Sequence, residues 1–366
     1  MPGKHRWGRN GNLARSGDAA GKSAPRVYTR KSMLSETQRE LVHLLRADAA
    51  QEYGGDARER LWQAALDEEV AVPLATKLGP TDEAYLLEQQ LQHQTRLHWL
   101  EKILRRLEAA SVGVVNLKGP VFGERFYRPP YGRPSLDLDL ALARNEVPAA
   151  VRELERLGYR SEPILFVPMD QHAVLLHDFA PEVELHYRLL SEFGVRQEMT
   201  GFLARARTVE VPGLGTVRVP DAEDEFLFLC AHAAKHRFSK LRWMYDLFLL
   251  LGSSSLDGDA VWRRAGEMHA RSLLALSVVV LEREWGLRVS GIPIPASRLA
   301  RAARILPEFT KVRPPARTKA QLANRYARDM AACDDLRGRL RCCWRLGASF
   351  SQRAAKEAIG RFARVR

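Results

Sequence analysis

The chain has 366 residues, of which 46% are hydrophobic and 28% are charged. This composition is typical of a soluble globular protein that is long enough for two or three domains. No run of about eighteen uncharged apolar residues is present, which argues against a membrane span. The N-terminus lacks the apolar core of a signal peptide, and the four cysteines form neither a CxxC pair nor a zinc-binding spacing. We therefore expect a cytoplasmic protein with reduced thiols.

The net charge of +13 is unevenly distributed. Residues 1–32 carry a net charge of +7 and residues 298–366 carry +13, which leaves −7 for the residues between them. Basic ends of this kind can bind nucleic acid or an anionic membrane surface. The alternative is a solubilising tail followed by arginine-rich helices.

The N-terminal third combines a polar tail with a helical region. Residues 1–32 are rich in Gly, Ser, Lys and Arg without apolar periodicity, which predicts a disordered basic tail. From Ser35 the pattern is helical, with Gln38 three residues after the Ser cap. We expect residues 33–110 to form a helical N-terminal region.

The middle of the chain, residues 111–220, has the pattern of an α+β core. A β-branched run at 112–118 is followed by a probable helix, a loop and an acidic strand, and residues 146–159 form an amphipathic helix. Two strand pairs then follow, at 172–189 and 207–220, and each reads as a hairpin. Residues 221–366 return to a helical pattern with a basic end. The expected fold is therefore a small mixed sheet flanked by helical regions.

The acidic strand raises a question of charge. In the segment GRPSLDLDLALA, Asp137 and Asp139 share one face of a strand whose other face carries leucines. Two neighbouring carboxylates repel each other unless a cation lies between them, and Mg²⁺ is commonly held by such carboxylates together with substrate phosphates. The alternative is a half-buried strand whose wet face is acidic.

The order of short motifs along the chain resembles the bacterial "uncharacterised nucleotidyltransferase" family of the DNA polymerase beta-like superfamily. The resemblance extends over roughly residues 100–250. It is carried by Leu117-Lys118-Gly119, Arg133-Pro134, Asp137-Leu138-Asp139, Leu157-Gly158-Tyr159, Glu184-Leu185-His186 and the segment from His232 to Leu247.

The resemblance implies a mechanism and a set of site residues. Two Mg²⁺ ions, for which Mn²⁺ can substitute, would be held by Asp137, Asp139 and Glu184. Glu182 shares a face with Glu184 and is the rival third ligand. Glu184 is preferred because it directly precedes Leu185-His186, as in the family. His186 would then be a partner of a metal ligand, or else an ordinary strand histidine.

The expected phosphate contacts depart from the wider superfamily, whose phosphate-binding helix usually begins with Gly-Ser or Gly-Gly. Here Lys118-Gly119-Pro120 takes that place, and Lys118 supplies positive charge where the serine is missing. Arg133 is a second candidate for the γ-phosphate or the acceptor. Its alternative role is a loop arginine paired with a nearby acid.

A cationic helix end supplies the remaining candidates. His232, Lys235 and His236 lie within one helical turn, and we expect them to contact phosphate or base. A zinc pair formed by the two histidines lacks a third ligand and a general-base Glu. The alternative is packing by this segment, with Asp246 paired to Arg242 or His236.

These observations predict a Mg²⁺-dependent nucleotidyltransferase that transfers the nucleotidyl group of an NTP, such as ATP, with release of pyrophosphate. The resemblance implies that the acceptor is a small molecule, a sugar phosphate or a modified peptide, as in natural-product or polysaccharide biosynthesis. The competing prediction is a nucleic-acid-binding or RNA-modifying protein that uses the same scaffold through its basic ends.

Overall fold

The computed structural model describes residues 13–15, 32–47, 53–79, 82–161, 171–190, 192–196, 198–310 and 327–344. Its helices are α1 (Glu36–Arg46), α2 (Gly55–Asp67), α3 (Ala71–Leu78), α4 (Glu83–Ala109), α5 (Pro120–Phe126), α6 (Val147–Glu155), α7 (Met199–Arg205), α8 (Ala222–Lys235), α9 (Leu241–Ser253), α10 (Gly258–Glu267), α11 (Arg271–Glu284) and α12 (Ala296–Phe309). Its strands are β1 (Leu13–Arg15), β2 (Val115–Asn116), β3 (Asp137–Ala141), β4 (Arg160–Ser161), β5 (His172–Leu176), β6 (Glu182–His186), β7 (Arg207–Val211), β8 (Gly215–Val219) and β9 (Leu287–Val289). Residues 327–331 and 336–344 are also helical.

A five-stranded mixed sheet forms the centre of the fold, in the order β2-β3-β6-β5-β4. The β3 and β6 strands are parallel, and the other neighbouring pairs are antiparallel. The structure confirms the expected α+β class, with a small mixed sheet between helical regions. Both predicted hairpins are present, as β5–β6 and β7–β8.

Near the N-terminus, the sequence predicted a capping box and a disordered tail. The capping box before α1 is confirmed, because the Ser35 side chain accepts from the Gln38 amide and the Gln38 side chain accepts from the Ser35 amide. Within the tail predicted to be disordered, Leu13–Arg15 instead forms β1, which pairs with β9 in an antiparallel arrangement. The backbone of β9 supplies hydrogen-bond partners that the tail's own sequence does not reveal. The rest of residues 1–31 lies outside the described residues.

Two hydrophobic cores hold these elements together. One lies beneath the sheet, where Leu138 and Leu140 of β3 and Val183 of β6 pack with Ile103 of α4. The other is helical and joins α1 to α3 with α8, α9, α11 and α12. Helices that precede the sheet in the sequence and helices that follow it therefore share one hydrophobic core. In the part of the chain that the structure describes, no helix is long and apolar enough to cross a membrane.

The loop that leads into β3 is fastened to the helical core by a buried ion pair. The guanidinium of Arg133 donates to both carboxylate oxygens of Asp246, at 3.1 and 2.9 Å, and each side chain is only 1% exposed. The Tyr127 hydroxyl donates to the same carboxylate at 2.6 Å. Burial alone would lower the pKa of Arg133, but Asp246 raises it above its usual value, so the guanidinium stays charged. The start of β3 is thereby tied to α9.

We expect Asp246→Ala to lower the free energy of unfolding by about 3–5 kcal/mol, because it leaves the Arg133 charge buried without its partner. Denaturant unfolding measures this change. The double variant Arg133→Met with Asp246→Leu removes both charges and should recover part of the loss, because the Tyr127 hydroxyl still lacks its acceptor. Asp178→Ala, which breaks an exposed ion pair with Arg160, is the control and should be nearly neutral. A nearly neutral Asp246→Ala variant would contradict this account of the loop.

Candidate active site

Three carboxylates converge where β3 and β6 run side by side. The parallel register places Asp139 opposite Glu184 and Asp137 opposite Glu182. Oxygen atoms of Asp137, Asp139 and Glu184 all lie within 4.8 Å of one another. The alternation of side chains predicted from the sequence is the cause, because Leu138, Leu140, Val183 and Leu185 turn to the opposite face and are buried.

Burial differs among these three acids. The side chain of Asp139 is fully buried, whereas those of Glu184 and Asp137 are 20% and 27% exposed. Asp139 therefore lies at the base of the cluster, and the other two carboxylates open towards solvent. Glu182 is the residue opposite Asp137 and does not belong to the group of three, which favours Glu184 as the third carboxylate.

Lys118 lies between the two aspartates. Its ammonium nitrogen is 2.9 Å from Oδ2 of Asp139 and 3.6 Å from Oδ2 of Asp137. Its side chain is only 11% exposed. In the structure Lys118 forms ion pairs with both aspartates, and its predicted contact with phosphate stays a prediction. The Lys118 ammonium thus supplies a positive charge beside these two acids.

Gly119 makes the turn that brings Lys118 to this position. Its φ of +72° lies in the left-handed region that L-residues rarely adopt. A Cβ atom there would lie 3.4 Å from Oγ of Ser135 and 3.6 Å from the carbonyl oxygen of Asp137. Glycine at this position therefore allows the chain to leave β2, pass close to the start of β3 and enter α5.

His186 links two of the acids from the end of β6. Its Nε2 atom is 2.9 Å from Oδ1 of Asp139 and 3.1 Å from Oε2 of Glu184. Burial alone would lower the pKa of His186, but these two carboxylates raise it above its usual value. These two carboxylates therefore favour the protonated form of His186, and its Nε2 atom is placed to orient both of their side chains.

The three acids differ in their tendency to ionise. Burial would raise the pKa of Asp139, but Lys118 and His186 hold it well below its usual range. Burial would likewise raise the pKa of Glu184, yet hydrogen bonding to His186 lowers it. For Asp137, burial and the neighbouring Asp139 charge raise the pKa. An added cation would therefore favour the ionised form of Asp137 more than that of the other two acids.

His172 is a site residue that the sequence analysis did not identify. It lies opposite His186 in the β5–β6 pair, and its Nε2 atom is 3.7 Å from Oε1 of Glu184. The sequence predicted the hairpin that contains both histidines, but only its exact register shows that they lie side by side.

The helix end predicted to contact the nucleotide borders the same site. His232 and His236 lie against Trp243, with His236 stacked on the indole at a centroid separation of 4.7 Å. Burial lowers the pKa of His236 to about 4, assisted by the charges of Lys235 and Lys118. Burial and the Lys118 charge also lower the pKa of His232. Both histidines are therefore neutral at neutral pH, and Lys235 is the cation of this helix end.

The structure gives Arg133, Asp246 and Arg242 partners among the protein's own side chains. Arg133 is buried against Asp246, so its alternative role as a paired loop arginine is the one that the geometry favours. Asp246 does not pair with Arg242 or His236 as we had considered. Arg242 instead forms an ion pair with Glu69 and lies over the Trp243 ring. In each case the partner comes from a distant segment of the chain.

The donor set fits a divalent metal ion. Three carboxylates offer the hard oxygen ligands that Mg²⁺ and Mn²⁺ prefer, and the ammonium of Lys118 stands beside two of them as a cation. Among the described residues, His172, Glu184 and His186 form a second group with metal-ligand geometry.

Comparisons with known proteins identify a family and a similar solved structure. The model of the family described as "Uncharacterised nucleotidyltransferase" matches residues 39–286, about two thirds of the chain. A comparison with curated proteins finds no match. Among solved structures, the chain is similar to the antibiotic-resistance factor ANT(2'')-Ia, with 15% identity and a TM-score of 0.36 over 48% of this chain and 92% of that one.

The family match confirms the resemblance predicted from the sequence. It covers the helices before the sheet, the three carboxylates and the helices α8 to α11. The protein is an enzyme of nucleotidyl transfer and belongs to the uncharacterised nucleotidyltransferase family.

Proposed function

We propose that the protein transfers the nucleotidyl group of an NTP, in a Mg²⁺-dependent reaction, to a hydroxyl or phosphate group of a small molecule, a sugar phosphate or a modified peptide. The observation that carries this proposal is the convergence of Asp137, Asp139 and Glu184 from two parallel strands. A protein that only binds its ligand has no need to concentrate three carboxylates in this way. The nucleic-acid alternative depends on the basic ends, most of which lie outside the described residues.

In the proposed reaction, an acceptor oxygen forms a bond to the α-phosphorus of the NTP. The bond between that phosphorus and the bridging oxygen to the β-phosphate breaks, and pyrophosphate leaves with the electron pair. Bound divalent ions would lower the pKa of the acceptor hydroxyl and stabilise the charge on the leaving group. The carboxylates of Asp137, Asp139 and Glu184 would hold these ions.

Other residues of the chain orient the reactants. His186 fixes Asp139 and Glu184 through its hydrogen bonds, and Glu184 faces the more open side, where it can orient the acceptor hydroxyl. Lys118 would exchange its contacts with the aspartates for a contact with the triphosphate when a metal ion binds. Lys235 has no ion pair with a carboxylate among the described residues, and it would bind phosphate together with the neutral faces of His232 and His236.

The first test concerns the aspartates. We expect the double variant Asp137→Asn with Asp139→Asn to lose Mg²⁺-dependent NTP binding, because amides replace two charged metal ligands. Isothermal titration calorimetry with and without Mg²⁺ measures the difference, and circular dichroism checks the fold. An NTP affinity that still responds to Mg²⁺ in this variant would contradict the metal assignment.

The second test concerns Lys118. We expect Lys118→Met to raise the affinity for Mn²⁺ in the absence of nucleotide by at least about tenfold, because the ammonium no longer neutralises the same oxygens. Titration of free Mn²⁺ by electron paramagnetic resonance gives this affinity directly. Lys102→Met, which removes a lysine that lies over Trp99, is the matched control and should leave the affinity unchanged. An unchanged or weakened Mn²⁺ affinity in Lys118→Met would show that the lysine does not compete with the metal.

The third test separates the two glutamates of β6. Glu184→Gln keeps the size of the side chain but removes a metal ligand, so pyrophosphate release should fall by at least about a hundredfold with little loss of stability. Glu182→Gln is the matched control on the same face and should be much milder. Pyrophosphate release from labelled NTP is compared between the two. A larger defect for Glu182→Gln would reverse the assignment.

A further inference from the structure

A short helix at the end of the described chain turns an apolar face towards solvent. Residues 336–344 are helical, and Leu336, Leu340 and Trp344 are 70%, 60% and 57% exposed. Residues four positions apart lie on the same side of a helix, so the three side chains form one stripe. We call it the C-terminal stripe. It contains three of the eight large hydrophobic residues that are exposed in the described part of the chain.

The opposite side of this helix is fixed to the rest of the protein. Gly338 and Cys342 are buried, and the Arg341 guanidinium donates to the carbonyl oxygen of Gly194 at 3.0 and 2.8 Å. The backbones are in close contact, since a Cβ atom on Gly194 would lie 2.5 Å from the Cα atom of Gly338. The helix therefore docks through one face, and the C-terminal stripe is its outward face.

The turn before this helix is anchored as well. The Asp334 carboxylate accepts from the backbone amides of Arg271 and Ser272 at the start of α11, at 2.8 and 2.6 Å. The same carboxylate forms an ion pair with Arg298 of α12 at 2.9 Å. These contacts set the direction in which the helix presents the stripe.

Arginines border the C-terminal stripe on both sides. Arg337 and Arg339 are exposed. Because a helix turns by about 100° per residue, Arg337 lies beyond the Trp344 edge of the stripe and Arg339 beyond its other edge. Residues 336–344 include no acid, and residues 298–366 carry a net charge of +13. The exposed face is therefore apolar in the middle and cationic at its margins.

Another exposed leucine pair lacks this charge pattern. Leu87 and Leu91 of α4 are also four residues apart, and they are 56% and 59% exposed. The surrounding residues 83–95 include Glu83 and Glu88 but no Lys or Arg. The combination of apolar stripe and flanking cations is thus a particular property of the C-terminal helix.

A membrane surface with acidic headgroups matches both parts of this pattern. Leucine side chains on one face of a helix enter the boundary between headgroups and acyl chains, and tryptophan is enriched there. Arginines at the margins of such a face reach the lipid phosphates. The phosphates of RNA would engage Arg337 and Arg339 equally well, but they offer no apolar partner for the leucines. The leucines therefore favour lipid.

We infer that the C-terminal stripe docks the protein on an anionic membrane surface. The apolar side chains of the stripe lie at the headgroup boundary, and Arg337 and Arg339 bind lipid phosphates. The helix of residues 336–344 is too short to span a bilayer, so it lies along the surface. This inference goes beyond nucleotidyl transfer and does not depend on it.

Sedimentation of the full-length protein with lipid vesicles tests the inference. Vesicles of phosphatidylcholine with about one quarter phosphatidylglycerol should bind the protein at least about tenfold more tightly than phosphatidylcholine alone. Leu336→Ser with Leu340→Ser should weaken binding to the mixed vesicles by at least about tenfold, because less apolar surface is covered. Arg337→Gln with Arg339→Gln should weaken it to a similar extent. Unchanged affinity in the leucine variant, or no binding of the wild type, would overturn the inference.

The exposed leucine pair of α4 provides the matched control. Leu87→Ser with Leu91→Ser removes the same amount of exposed leucine side chain, at the same spacing, from a helix without flanking arginines. This variant should bind the mixed vesicles as the wild type does. A loss equal to that of Leu336→Ser with Leu340→Ser would show non-specific adsorption of apolar surface and contradict the assignment.

Three further measurements identify other occupants of the stripe. Leu336→Ser with Leu340→Ser should keep the Tm of the wild type, because both side chains are largely exposed. A Tm lower by several degrees would show that another part of this chain covers the stripe. An oligomer that this variant dissociates, measured by light scattering without lipid, would show that a second copy covers it. An equally large loss of affinity for single-stranded RNA would assign the face to nucleic acid. Each of these three results would overturn the lipid assignment.

Discussion

The parallel pairing of β3 with β6 is the constraint on which the site depends. In this register Asp139 lies opposite Glu184. The side chain of Asp137 is more exposed to solvent than that of Asp139. Such an arrangement concentrates negative charge in a partly buried space, and it is stable only with positive charge nearby. Lys118 and His186 supply that charge. The elements around the sheet hold these two side chains in position.

The placement of Lys118 depends on backbone as much as on charge. The left-handed conformation of Gly119 lets the chain turn sharply after β2, so that the lysine points back over β3. The charge-neutralising group is therefore attached to the same turn that begins α5. A change of residue at position 119 would move the cation even though glycine itself makes no ionic contact.

The sequence predicted the local features well because short-range rules govern them. The capping box at Ser35 and the alternation of Asp137 and Asp139 need only neighbouring residues to be recognised. The same holds for the two hairpins. Family motifs favoured Glu184 over Glu182, which the local pattern alone could not distinguish, and in the structure Glu184 lies in the group of three carboxylates.

What the sequence could not provide are partners set by tertiary packing. Arg133 and Asp246 are 113 positions apart, and only the helical core brings them together. The pairing of His172 with His186 likewise requires the exact hairpin register.

The position of Leu91, Leu136 and Phe179 outside both hydrophobic cores bears on how this fold tolerates substitution. All three side chains are exposed, so their replacement removes little of the packing that stabilises the fold. The carboxylates, by contrast, lie on strands whose neighbouring residues are buried. The surface beside the sheet can therefore change at little cost to folding, whereas the strands that carry the acids cannot.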